Sequence, residues 1–180
     1  MLITISGLPG SGTSTVAKAV AAELGLEHLD GGTVFRAMAK EHGLGLHAFG
    51  ELAQRDSSID VTLDERLAER ARAGDVVLES RLAGWIARQD DLAAVKVWIN
   101  CDEQVRAERV GARDSQDPAD ALAVNRAREA SERQRYATYY GIDLAVLDIY
   151  DLVLDSSTRP AADLVAAIVA AAPSAPNPEV

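Results

Sequence analysis

Cysteine, lysine and long apolar runs are scarce in this 180-residue chain. Cys101 is the only cysteine, so no intrachain disulfide can form, and the clusters that would hold a structural zinc are missing. No apolar stretch approaches the roughly 20 residues that a membrane-spanning helix needs, and the opening residues carry no basic leader. Neither a signal peptide nor a membrane span is expected, and a reducing cytoplasm is the expected location. Lysine occurs three times, at Lys18, Lys40 and Lys96, against 28 aspartates and glutamates, and the formal net charge is −10. Binding to phosphate backbones relies on surfaces rich in lysine and arginine, so nucleic acid is not an expected partner. The acidic balance suits a halophile's cytosol or a GC-rich genome, and the sequence does not separate the two.

With 48% hydrophobic and 26% charged residues, the chain has the composition of a folded globular protein. Its length suits one well-cored domain, expected over residues 1–172, and is short for two. Residues 173–180 carry three prolines and few apolar groups and are expected to form a disordered tail.

Short apolar runs at Leu2–Ser6, Glu27–Leu29, Val76–Leu78, Val95–Ile99 and Leu152–Leu154 read as strands. Between them, helical spacing recurs over Ser14–Gly25, Thr33–His42, Leu46–Arg55, Asp60–Arg72, Asp102–Gly111, Pro118–Tyr140 and Ala161–Ala171. Alternation of this kind predicts an α/β fold with a parallel sheet and helices on both faces.

The first strand runs into Gly7-Leu8-Pro9-Gly10-Ser11-Gly12-Thr13-Ser14 and then into a helix, which is the context a phosphate-binding loop requires. Glycines let backbone N–H groups turn inward around phosphate, and the helix N-terminus adds unsatisfied donors. Ser14 stands where the motif's magnesium ligand belongs. The motif calls for lysine where this chain has Thr13, and a neutral hydroxyl cannot offset charge between the β- and γ-phosphates. Lys18 lies more than one helical turn further on.

The loop, together with Asp30-Gly31-Gly32-Thr33-Val34-Phe35-Arg36, Val76-Val77-Leu78-Glu79-Ser80-Arg81-Leu82-Ala83-Gly84-Trp85, Ser131-Glu132-Arg133-Gln134-Arg135-Tyr136, Tyr140-Gly141-Ile142-Asp143 and Ile149-Tyr150-Asp151-Leu152-Val153, resembles the P-loop nucleoside monophosphate kinases. Within them the chain is similar to the compact archaeal cytidylate kinases, where threonine in place of the loop lysine is common. The resemblance implies a three-layer P-loop kinase fold, with a helical segment that binds the monophosphate and an arginine-rich lid. It implies ATP as phosphoryl donor with Mg2+ held at Ser14, and CMP and dCMP as acceptors. The loop from Gly7 through Thr15 would hold the triphosphate.

On the acceptor side the resemblance points to Asp30, Gly32, Arg36, Arg81, Gly84 and, more weakly, Asp143. A planar guanidinium at Arg36 or Arg81 can grip two phosphate oxygens at once. Glu79 could orient an arginine or a magnesium-bound water, or form a structural ion pair. Arg109 and Arg113, four apart on one helix face, would clamp ATP, the first over the adenine and the second at the phosphates. Arg128, Arg133 and Arg135 would close over the transferring phosphoryl, and they are the candidates for the charge that Thr13 lacks. Ion pairs at i,i+4 account for some of these arginines as well. His28, His42 and His47 fit no metal or nucleophile pattern. A monomer acting on small molecules is expected. Another small-molecule or nucleotide kinase of the same fold, such as one for adenylate, uridylate or a non-nucleotide acceptor, or a nucleotide-binding regulator without catalysis, stays open as an alternative.

Overall fold

The computed structural model describes residues 1–173, so the expected tail lies outside the described residues beyond Pro173. The chain runs β1 (Leu2–Gly7), α1 (Thr13–Leu24), β2 (Glu27–Asp30), α2 (Gly31–Glu41), α3 (Leu46–Ala53), α4 (Ser57–Arg72) and β3 (Val76–Glu79). It continues through α5 (Ala83–Gln89), β4 (Val95–Asn100), α6 (Glu103–Asp114), α7 (Pro118–Tyr140), β5 (Leu152–Asp155) and α8 (Ala161–Ala171). All strand pairings are parallel, in the order β2-β3-β1-β4-β5.

Side chains alternate across each strand, which divides the core between the two faces. Ile3, Ile5, Val77, Val97 and Ile99 pack against Val16 and Val20 of α1 and Leu164 and Ile168 of α8. Leu2, Val76 and Leu78 pack on the other face, against Leu67 of α4, Ile86 of α5 and Tyr136 of α7. Ile3, Ile5 and Val77 are wholly buried, and burial of such a side chain is worth about 1.5–3 kcal/mol. Among the described residues, no helix is long and apolar enough to cross a membrane.

Every expected strand is present, and each runs one residue beyond its expected end. The added residues are Gly7, Asp30, Glu79, Asn100 and Asp155. A hydrophobic pattern ends with the last apolar side chain, whereas the backbone ladder needs no such group and continues. Register then sets Ile5 opposite Glu79, Glu79 beside Asp30, and Asn100 beside Asp155, so polar groups collect along the carboxyl edge of the sheet. The helix α5, seven residues long and opening on Ala83-Gly84, was not expected from the sequence, being too short to display a period.

β1 leads into α1 on one face of the sheet, while its neighbour β3 leads into α5 on the other. The chain thus parts between these two strands, and a crevice opens outside their carboxyl ends, where ligands bind in open α/β sheets. Helices α2, α4, α6 and α7 start at Asp30, Asp56, Asp102 and Asp117, whose carboxylates accept from N–H groups of the first turn. Helix α1 starts at Gly12 with no side-chain cap and no acid in its first turn. Among the described residues no side chain takes its first-turn N–H groups.

Candidate active site

The loop between β1 and α1 is bound to its surroundings through its carbonyls. Gly10 has φ 84°, and a Cβ there would lie 2.5 Å from the Arg106 carbonyl oxygen, so both conformation and space demand glycine. Arg106 of α6 donates from Nη1 to Pro9 O at 3.2 Å and from Nε to Cys101 O at 3.2 Å, and it pairs with Glu129 of α7. Arg109 approaches Gly10 O at 3.5 Å and donates to Ser156 Oγ at 3.2 Å and Ser156 O at 2.7 Å. Arg81 donates to Gly7 O. Ser156 in turn donates to Ser11 O at 2.8 Å. Three guanidiniums therefore surround a loop that has no lysine of its own.

Glu79, at the end of β3 and 5% exposed, joins the loop to the sheet edge. Its Oε1 accepts from Thr13 Oγ1 at 2.7 Å and Ser14 Oγ at 2.6 Å. His28 of β2 reaches its Oε2 with Nε2 at 2.9 Å. The residue in the lysine position thus holds the same carboxylate as the candidate magnesium ligand. His28 belongs to the site without fitting any sequence pattern, because its partner lies 51 positions away.

Across the crevice, Arg36 on α2 donates to Asp30 Oδ2 at 3.1 Å and Thr33 Oγ1 at 2.7 Å. Asp30 also caps α2 by accepting from Gly32 N at 2.8 Å and Thr33 N at 3.1 Å. Burial pushes the Asp30 carboxyl up, but the bonds from Thr33 and Gly32 and the Arg36 charge outweigh it, and its pKa is lowered. Arg81 donates from Nε to Glu132 Oε2 at 2.7 Å, and Arg128 from Nε to Glu132 Oε1 at 2.8 Å. Burial raises the Glu132 pKa, yet the two guanidiniums overcome this and hold it at about 2. Arg135, one turn beyond Glu132, donates to Asp60 Oδ2 of α4 at 2.8 Å and to Ser131 Oγ at 3.1 Å.

Arg133 is exposed on α7, and Arg113 is exposed and paired with its neighbour Asp114 at 2.7 Å. Arg113 therefore does not join Arg109 at the loop. Thr15 is exposed in the first turn of α1, and Leu8 packs with Trp98 and Tyr150. Gly84 is buried under Tyr150, where a Cβ would meet the ring at 2.4 Å, and its N–H goes to Ser6 Oγ at 3.3 Å. Asp143 bonds locally, accepting from Ala145 N at 2.9 Å, and joins none of these ion pairs.

A cavity of about 230 Å³ opens beside the loop, lined by Gly12, Thr15, Arg109, Ser156, Arg159 and Leu164 among others. Sequence reading missed Ser156 and Arg159, Arg106 and Asp60. The first two follow the carboxyl end of β5, and that position is the signal that could have found them. Arg106 and Asp60 offer no spacing that marks them.

The sequence profile of the cytidylate kinase-like family matches residues 2–158. The chain is 49% identical over 158 residues to the cytidylate kinase of Halobacterium salinarum, covering 87% of this chain and 81% of that protein. It is 42% identical over 158 residues to that of Methanococcus vannielii, covering 87% and 91% respectively. Among solved structures, a gluconokinase from Sinorhizobium meliloti superposes with a TM-score of 0.62 at 17% identity, over 93% of this chain and 89% of that one. The fold is that of the P-loop kinases, and the chain belongs to the cytidylate kinase-like family.

Proposed function

We propose that the chain is an ATP-dependent cytidylate kinase that moves the γ-phosphoryl group onto CMP and dCMP, giving ADP and the nucleoside diphosphate. The observation that carries this reading is the uncapped N-terminus of α1, which opens into the same crevice as Arg81 and Glu79. Helices α2, α4, α6 and α7 spend an aspartate on their first-turn N–H groups. Here those donors, with the loop from Gly7 to Thr15, are left for the ATP phosphates. The base half of the assignment leans on the cytidylate kinases at 49% and 42% identity.

The nucleoside of ATP occupies the cavity beside Arg109, Ser156 and Arg159, and Arg113 would reach the phosphates only by leaving its partner Asp114. Arg36 and Arg81 hold the acceptor phosphate, with Asp30 and Gly32 shaping the start of α2 around it and Gly84 setting the wall behind it. Asp143 is kept as a weaker acceptor-side contact. The attacking oxygen of a nucleoside monophosphate is already anionic near neutral pH, so positioning and electrostatics supply the catalysis. Arg128 and Arg133 then lie over the charge that develops on the transferring group.

The donor set at Ser14 and Glu79 fits Mg2+, a hard cation that takes a hydroxyl or carboxylate oxygen or two from the protein. No group of three or more acidic, histidine or cysteine side chains competes for a metal among the described residues. Ser14 would hold the ion and Glu79 would orient its water. When bound, the ion offsets charge on the β- and γ-phosphates. The charge that Thr13 does not provide comes from Arg109 and, in the closed state, from Arg128 and Arg133.

The enzyme works as a single kinase domain over residues 1–172, as a cytoplasmic monomer acting on small molecules. The test is ADP formation from Mg-ATP with a panel of acceptors. CMP and dCMP should be preferred, and faster turnover of AMP or UMP would reject the reading. The second reading, a nucleotide-binding regulator, is favoured only by Thr13. ATP binding without CMP-dependent turnover would establish it, whereas turnover abolished in Arg36→Ala would remove it.

A further inference from the structure

Thr13 opens α1 at the position where a phosphate loop ordinarily carries lysine, and its side chain is fixed at both tips. The hydroxyl donates to Glu79 Oε1 at 2.7 Å. The methyl group lies against Gly7, so close that a Cβ on Gly7 would come within 2.8 Å of it. Branching at Cβ restricts χ1, and these two contacts together select one rotamer. Ser14 donates to the same Glu79 oxygen at 2.6 Å. Consecutive residues of a helix do not face one another, so two neighbouring hydroxyls meeting on one oxygen is a specific arrangement rather than a product of helical spacing.

The carboxylate at the meeting point is itself held from the other side. His28 Nε2 lies 2.9 Å from Glu79 Oε2, and the whole residue is 5% exposed. Oε1 has its two lone pairs filled by the hydroxyls, so one acceptor position remains, on Oε2. An ionised carboxylate only accepts, which makes both hydroxyls donors. Ser14, exposed at the start of α1, has therefore committed its hydrogen and keeps only lone pairs to offer. A lysine at position 13 would bring a positive charge and three donors beside this nearly enclosed carboxylate. Pairing with it would draw Oε1 away from Ser14, because charge-assisted hydrogen bonds are the stronger ones.

We propose that Thr13 is a positioning residue for phosphoryl transfer: it fixes Glu79 so that Ser14 presents its lone pairs to the cation of the donor nucleotide, and a lysine in its place would undo that setting instead of supplying missing charge. This rests on the reading of the chain as a kinase and concerns the residues that receive its nucleotide. Thr13 touches no phosphate in this role and acts only through Glu79. Groups that orient a cation's ligands from behind carry a large share of affinity and rate. His28 completes the setting by holding the second oxygen, so the carboxylate cannot turn about its own axis without breaking a contact on each side. The unusual residue of the loop and the histidine that no sequence pattern explains thereby serve one carboxylate.

The test compares Thr13→Ser, Thr13→Val and Thr13→Lys with the wild type in three measurements: metal-free ADP affinity by calorimetry, Mn2+ affinity of the enzyme–ADP complex by paramagnetic resonance, and kcat with KM for CMP. Thr13→Val keeps the shape and the methyl but loses the hydroxyl. Its Mn2+ affinity and kcat should each fall about 10- to 100-fold, with metal-free ADP affinity and KM for CMP unchanged. Thr13→Ser keeps the hydroxyl and should recover most of both losses. Thr13→Lys should bind Mn2+ no better than Thr13→Val and turn over no faster. A lysine variant faster than the wild type would overturn the proposal, since the position would then have lacked only charge. Wild-type Mn2+ affinity in Thr13→Val would overturn it too, and so would ADP affinity lost in step with stability, the behaviour of a threonine that merely packs. If Thr13→Val does not fold, Thr13→Ala removes the same hydroxyl and carries the same comparison. Absence of CMP-dependent turnover in the wild type would refute the proposed function, while the ADP and Mn2+ affinities would still decide the role of Thr13.

Discussion

On the donor side of the crevice Arg109 meets the phosphate loop with no carboxylate partner among the described residues, whereas Arg36, Arg81 and Arg135 across from it are fastened to Asp30, Glu132 and Asp60. The donor phosphates would meet backbone N–H groups and a guanidinium whose charge nothing nearby offsets. The acceptor would meet guanidiniums already oriented and already neutralised. Prior orientation lowers the side-chain entropy lost on binding. For Arg81 and Arg135, whose side chains are largely enclosed, the carboxylates also keep a buried cation from standing unpaired. On the proposed reading one side would supply strength of attraction and the other placement, which suits a reaction in which the acceptor must arrive in line with the γ-phosphorus.

Arg81→Ala should break this division most severely. It removes the acceptor grip while the loop's N–H groups remain, so kcat/KM for CMP should drop about 10³-fold or more with KM for ATP moving far less. Steady-state kinetics in both substrates would separate the two; a matching rise in KM for ATP would place Arg81 on the donor side.

Glu132→Gln probes the neutralising half. Two arginines lose their shared counter-ion, and chemical denaturation at neutral pH should register a loss of about 3 kcal/mol. The carboxyl is held at about 2 against an ordinary 4.5, so its stabilising contribution is complete above 4.5 and is lost as pH falls through about 2. Acid titration of stability should therefore be flatter for the variant over that window; parallel curves would deny Glu132 this role.

Gly10→Ala should act on the donor side alone. Strain from φ 84° and the clash at 2.5 Å with Arg106 O distort the loop, raising KM for ATP by about 10- to 100-fold. Calorimetric affinity for CMP is expected to hold, and its loss would mean that the two sides are not independent.

The smallest effect belongs to Asp64, one turn along α4 from Asp60. Burial raises its pKa to about 7, helped by the Asp60 charge and opposed by the Tyr140 hydroxyl. As pH rises from 3.8 through about 7 the unfolded chain gives up this proton before the folded one does, so the group erodes stability across that range. Asp64→Asn should stabilise the protein at pH 8 by about 1 kcal/mol; a lower melting temperature at that pH would contradict it.

The strands and the phosphate loop could be read from sequence because each is written locally, in an apolar run or a glycine pattern beside it. The ion pairs were legible only where both members share a helix face, as Arg128 and Glu132 do. Glu132 meets Arg81 across 51 positions and Asp60 meets Arg135 across 75, distances at which residue spacing says nothing. For the same reason His28 could not be placed beside Glu79, and the expected lid arginines could not be sorted into the exposed Arg128 and Arg133 and the enclosed Arg135 held by Asp60. The tight seating of Gly84 depends on Tyr150, which reaches it from beyond α7.

The threonine at position 13 also decides which reagents can find this enzyme. Nucleotide probes that acylate the amine of a phosphate-loop lysine have nothing to react with here. Lys18 and Lys40 are exposed on α1 and α2, and Lys96 is paired with Asp151 at 3.0 Å. Surveys of ATP-binding proteins made with such probes would pass this kinase by, while dicarbonyl reagents selective for guanidinium groups would reach Arg109 among other exposed arginines, and on the proposed reading bound nucleotide would protect it.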